Sequence, residues 1–94
     1  MSDKRMLQAL VRERAREQLA ALRPGGSARW AIEVSSAAVI EPRAAAMACP
    51  HCGGQYRIHD HTRPHPGIRR VDVACRNCST PRILWFRIAP REPN

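Results

Sequence analysis

Four cysteines in two Cys-x-x-Cys pairs, Cys49-Pro50-His51-Cys52 and Cys75-Arg76-Asn77-Cys78, constrain this 94-residue chain more than any other feature. Residues 53 to 74 separate the pairs. Tetrahedral Zn²⁺ is commonly held by two such pairs brought together from either end of a hairpin. The crosslink answers a need. A chain this short buries a limited core and often relies on a metal or disulfides for stability. The aromatics are Trp30, Tyr56, Trp85 and Phe86, and the cysteine-bearing half holds few large apolar residues.

Ahead of the cysteines, residues 3 to 22 read as one helix. Leu7, Leu10, Val11, Ala15, Leu19 and Leu22 recur at three- and four-residue steps and form a broad apolar face. Ser2 or Asp3 caps the start, and Arg23-Pro24-Gly25-Gly26 stops it. A helix of this length is marginal alone in water, so its apolar face is expected to pack, by preference on its own domain. Arg14, near the middle of that face, argues for a stripe that is partly exposed or turned to a partner. Residues 28 to 34 alternate as a half-buried strand, with Trp30, Ile32 and Val34 on one side. A second apolar run, 37 to 41, ends at Glu41-Pro42, and Ala44 to Ala48 lean to strand because they lead into Cys49.

The cysteine half reads as three strands, Gln55 to His61, Ile68 to Ala74 and Arg82 to Ile88, with the turn-rich loop 62 to 67 joining the first two. Arg69, Val71 and Val73 share one face of the second strand, and Ile68, Arg70 and Asp72 the other. In the third strand Leu84, Phe86 and Ile88 face opposite to Ile83, Trp85 and Arg87. The order CPHCGG, hairpin, CRNC and third strand over residues 49 to 88 resembles a zinc ribbon. With the helix read above, that resemblance leads to the expectation of a small metal-stabilised α+β fold, an N-terminal helix followed by a mostly antiparallel β ribbon. It divides the chain into an amphipathic helix (1–23), connecting strands (24–48), the ribbon (49–90) and a tail (91–94) expected to fray. It also implies that Cys49, Cys52, Cys75 and Cys78 hold Zn²⁺ in a closed, structural site. Gly53 stands where such turns need a positive φ, so that amides can point at the sulfurs. Ser79 stands where Gly is usual in the second turn, at some backbone cost. Disulfide pairing, iron in place of zinc, and a redox-active thiol pair are the alternatives, the last lacking its βαβ context.

The formal charge is +8, with eight basic against five acidic residues in 1–48 and eight against three in 49–94. Such a balance favours anionic partners, nucleic acid above all. Arginine supplies 15 of the 16 basic residues, which also fits a GC-rich coding background and weakens that inference. The candidate nucleic-acid contacts are Arg57, His59, His61, Arg63, Arg69, Arg70 and Arg76, with Arg57, His59 and His61 expected to share one strand face. Tyr56 and Trp85 are candidate stacking platforms, although Trp85 and Phe86 read more readily as core. The same histidines with His65 make a weaker second metal site, and His51 reads as solvent-exposed. Asp60 and Asp72 are placed to pair with nearby arginines.

No nucleophile motif, carboxylate pair or Gly-rich phosphate loop is present, which argues against an enzyme and a small-molecule substrate. The first residues carry no secretory signal and no stretch approaches a membrane span, so the expectation is a cytoplasmic protein that does not engage a membrane. The sequence therefore predicts a zinc-stabilised binding module. Its partner is nucleic acid, or a protein or second copy engaged through the N-terminal helix.

Overall fold

The computed structural model describes residues 2–89, and the tail at 91–94 lies outside the described residues. Helix α1 (Ser2–Ala21) is followed by strand β1 (Ile32–Val34), a 3-10 turn (Ala37–Val39) and helix α2 (Ile40–Ala46). Strands β2 (Tyr56–His65), β3 (Ile68–Cys75) and β4 (Pro81–Ile88) complete the chain. The strands form one mixed sheet in the order β1-β4-β3-β2, antiparallel except where β1 lies parallel to β4.

The register sorts the side chains. Ile32 opposes Phe86, Val71 opposes Leu84, Ile58 opposes Val73 and Tyr56 opposes Cys75, so all of these share one face. Helix α2 covers that face with Ile40 and Ala44, both wholly buried. Val71 and Phe86 are equally inaccessible, and each such side chain contributes about 1.5–3 kcal/mol relative to exposure. The opposite face, with Ile68, Arg70, Asp72, Ile83, Trp85 and Arg87, is only partly buried. Phe86 is thus core, whereas Trp85 sits on the open face.

Residues 24–48 join the same sheet through β1, but their second half is helical rather than strand. Pro42 falls in the first turn of α2, where a backbone N–H has no helical acceptor to lose, and the alanines at 44–46 are strong helix formers. The hairpin also differs from expectation. Strand β2 runs to His65 and leaves Pro66-Gly67 as the turn, so the foreseen loop at 62–67 is mostly strand. Two irregularities absorb the extra length, one between Ile58 and Asp60 and one between Thr62 and His65.

Helix α1 ends at Ala21, just ahead of the expected stop at Arg23-Pro24-Gly25-Gly26, and the chain beyond it is stitched to β4 by Trp85 N donating to Gly25 O at 2.8 Å. Its apolar face does not pack on its own domain. Every residue from 3 to 19 is exposed, and only Ala20 near the end is buried. Leu7, Val11, Leu19 and Leu22 are each 63–65% exposed. The sheet's apolar face is already taken by α2, which leaves α1 nothing to cover. Trp30, expected on the buried side of the first strand, is half exposed instead, with Arg29 over its ring. The projecting helix accounts for a radius of gyration of 15.6 Å, against about 12 Å for a compact chain of this length.

Candidate metal centre

Two similar turns build the site. In the first, Gly53 N donates to Cys49 O at 2.7 Å and Cys49 N to Gly54 O at 2.7 Å. In the second, Ser79 N donates to Cys75 O at 3.0 Å and Cys75 N to Thr80 O at 3.0 Å. Gly53 and Ser79 occupy equivalent places with φ of +78° and +63°. The serine therefore adopts the conformation that glycine provides without strain. Arg76 N donates to Gln55 O at 2.9 Å and ties the turns together.

The four Sγ atoms lie within 4.8 Å of one another. Cys49 and Cys78 are 3.8 Å apart and Cys52 and Cys75 are 3.3 Å apart. Four sulfurs about 2.3 Å from a tetrahedral zinc sit about 3.8 Å from each other. All four cysteines are free thiols, at separations far beyond the roughly 2.05 Å of a disulfide. Gly54 shapes the space between them. A Cβ there would stand 2.9 Å from Cys75 Sγ and 3.3 Å from Cys52 Sγ, so only glycine lets the backbone pass. The cluster can hold a metal ion.

Donors surround the sulfurs. Gly54 N reaches Cys52 Sγ at 3.4 Å, and Asn77 N and Cys78 N reach Cys75 Sγ at 3.3 and 3.5 Å. The Thr80 hydroxyl lies 3.0 Å from Cys78 Sγ. This hydroxyl, with the Thr80 amide, lowers the Cys78 thiol to about 6. The Gly54 amide, with the Asn77 side chain, lowers Cys52. At Cys75 the Cys78 amide pulls downward, but burial and the neighbouring thiols outweigh it and the net shift is upward. These donors favour the thiolates of Cys52 and Cys78, and it is the thiolate that binds metal.

His51 is not solvent-exposed. Its side chain is only 9% accessible, and Nε2 lies 2.7 Å from Glu17 on α1, with Glu13 at 3.8 Å from Nδ1. Glu17 also accepts from Arg82 Nη2 of β4 at 2.9 Å. The His51 hydrogen bond, helped by Arg82, outweighs the opposing effect of burial and holds the Glu17 carboxyl below its ordinary value. One carboxylate thus joins the helix to the cysteine turn and to the sheet. Glu17, Gly54 and Thr80 were not singled out by sequence reasoning. The second glycine of CPHCGG was open to view, whereas the Glu17 contact spans 34 residues and leaves no local pattern.

The basic residues do not form one face. His59 is the unpaired residue of the first irregularity in β2, opposite no β3 residue. This shifts the alternation, so Arg57 pairs with Ala74 on the open face while His61 pairs with Val71 on the core face, beneath α2. There His61 Nδ1 meets Glu41 at 3.2 Å and Nε2 meets Arg69 Nη1 at 3.4 Å. The proposed face of Arg57, His59 and His61 is thereby ruled out, as is a metal site that needs His59 and His61 together. Arg57, His59 and Arg76 line one cleft beside the second cysteine turn. Arg63 and Arg69 line another at the hairpin tip, with His65. Arg70 is paired with Asp72 at 3.0 Å, whereas Asp60 accepts from the His61 amide at 2.8 Å. Tyr56 is 1% exposed and cannot stack on a base.

No protein-family model, no curated protein and no solved structure matches this chain. Fold and site define a small α+β protein with a four-cysteine metal-binding cluster. Among the described residues, no helix is long and apolar enough to cross a membrane.

Proposed function

We propose that this protein is a zinc-ribbon binding module in which a structural Zn²⁺ sets the shape of the sheet and helix α1 engages a protein partner. The observation that carries this reading is the helix itself. Its leucines at 7, 10, 19 and 22 and Val11 stand more than half exposed, and large apolar surfaces left open mark interaction sites. Zinc is favoured by four thiolates at tetrahedral spacing, which leave no coordination position for a substrate. Catalysis plays no part in this reading, and the cytoplasm, where thiols stay reduced, suits it.

The test uses the full chain carrying Val11→Glu. The variant is expected to keep one zinc per chain and to lose the bound protein or the second copy. Sedimentation separates the cases, because a homodimer shows its mass without any other component. A variant that keeps every partner overturns the reading.

A second reading, nucleic-acid contact, rests on the cleft of Arg57, His59 and Arg76, which has no acidic residue in its lining. Binding to single- or double-stranded probes should then fall steeply with salt and weaken in Arg57→Ala/Arg76→Ala. A flat salt response excludes it.

A further inference from the structure

Three of the four sulfurs have a hydrogen-bond donor aimed at them: Cys52 from Gly54 N, Cys75 from Asn77 N and Cys78 N, and Cys78 from the Thr80 hydroxyl. Among the described residues no donor bonds to Cys49 Sγ, which has Cys78 Sγ at 3.8 Å. Cys49 is also 98% buried, so water does not serve it. A buried thiolate without a donor is costly.

Beside it lies a hydroxyl with the complementary defect. Tyr56 is 1% exposed, and its Oη is buried without a hydrogen-bond partner. Tyr56 and Cys49 belong to the same buried cluster, and the ionisable groups that act on that oxygen are the Cys49 thiol and the Arg82 guanidinium. Arg82 uses Nη2 on Glu17, and its Nε is itself buried and unpartnered. Arginine offers only donors, so it can satisfy the tyrosine oxygen as an acceptor but not the tyrosine proton. The remaining acceptor for that proton is Cys49 Sγ. A neutral thiol accepts weakly, whereas a thiolate accepts strongly.

We propose that Tyr56 is a positioning residue of the metal centre, its hydroxyl donating to the Cys49 thiolate once metal is bound. The proposal rests on the metal-centre reading above. Outer donors of this kind orient the ligand and offset thiolate charge. Tyr56 would supply for Cys49 what backbone amides and Thr80 supply for the other three.

The experiment compares the full chain with Tyr56→Phe, titrated with Zn²⁺ against a chelating dye and separately loaded with Co²⁺. The expected result is a 10–100-fold loss of zinc affinity in the variant, together with a shift of its sulfur-to-cobalt charge-transfer bands. Unchanged affinity and unchanged bands overturn the proposal. If the wild-type chain takes up neither metal through its cysteines, the metal-centre reading fails first and the Tyr56 role falls with it, which is a different result from an unaltered variant. Should the variant not fold, the wild type loaded with ¹¹³Cd decides. A slowly exchanging Tyr56 hydroxyl proton with scalar coupling to cadmium supports the bond, and a hydroxyl proton in fast exchange with solvent overturns it.

Discussion

Ser79 holds a φ of +63° in the place where Gly53 holds +78°, and its side chain forms no hydrogen bond with any of the described residues. A non-glycine residue in that region costs roughly 1–2 kcal/mol, partly offset by the lower chain entropy it brings to the unfolded state. Ser79→Gly should therefore stabilise the metal-loaded protein by about 0.5–1 kcal/mol, read as a higher urea midpoint. Thr80 acts on chemistry rather than strain. Its hydroxyl is the first cause of the lowered Cys78 thiol, at about 6. A depressed thiol ionises at lower pH, so metal binding persists further into acid. Thr80→Val removes the hydroxyl at nearly constant volume, and the pH midpoint of zinc uptake should move upward. A midpoint that stays put or falls contradicts this. At this scale the ligands themselves were legible, because Cys-x-x-Cys spacing encodes a turn. The sides on which His59 and His61 lie were not, because a single inserted residue in β2 reverses the alternation and no sequence pattern announces it.

At the scale of elements, strands β3 and β4 were readable from their alternation, since a sheet covered on one face imposes a period of two. Helix α2 was not, because a seven-residue segment is too short to show a helical period and its neighbour Cys49 invited a strand. Helix α1 was readable in extent but not in attachment. The contacts that fix it are Glu13 and Glu17 against His51 and Arg82, with Ala20 buried beside them. The body is gripped by the polar edge of the helix, and the leucines are left outside. Glu17 is half exposed but its partners are nearly buried, so Glu17→Ala should lower global stability by about 1–2 kcal/mol. Its effect should also appear in geometry: spin labels at Gln8 and Ile83 should give a broad distance distribution in place of a narrow one. An unaltered distribution means that Glu17 does not set the pose of the helix.

For the whole molecule, the core behind α2 is small and the two cysteine turns close one end of the hairpin. On the proposed reading the metal is a structural zinc, and structural zinc contributes folding energy outright. Chelation should remove the strand signal in far-ultraviolet circular dichroism and the environment of Trp85 together, and added zinc should restore both. Loss of metal with the sheet intact would show that the core alone suffices. The two irregularities in β2 bear on a different matter. That strand is the open margin of the sheet, a row of amides and carbonyls to which another chain might otherwise add. The unpaired His59 and the second break between Thr62 and His65, which contains Pro64 and its missing amide, interrupt the row at two places along ten residues. Strand-by-strand polymerisation, the usual hazard of a small exposed sheet, is thereby obstructed along β2.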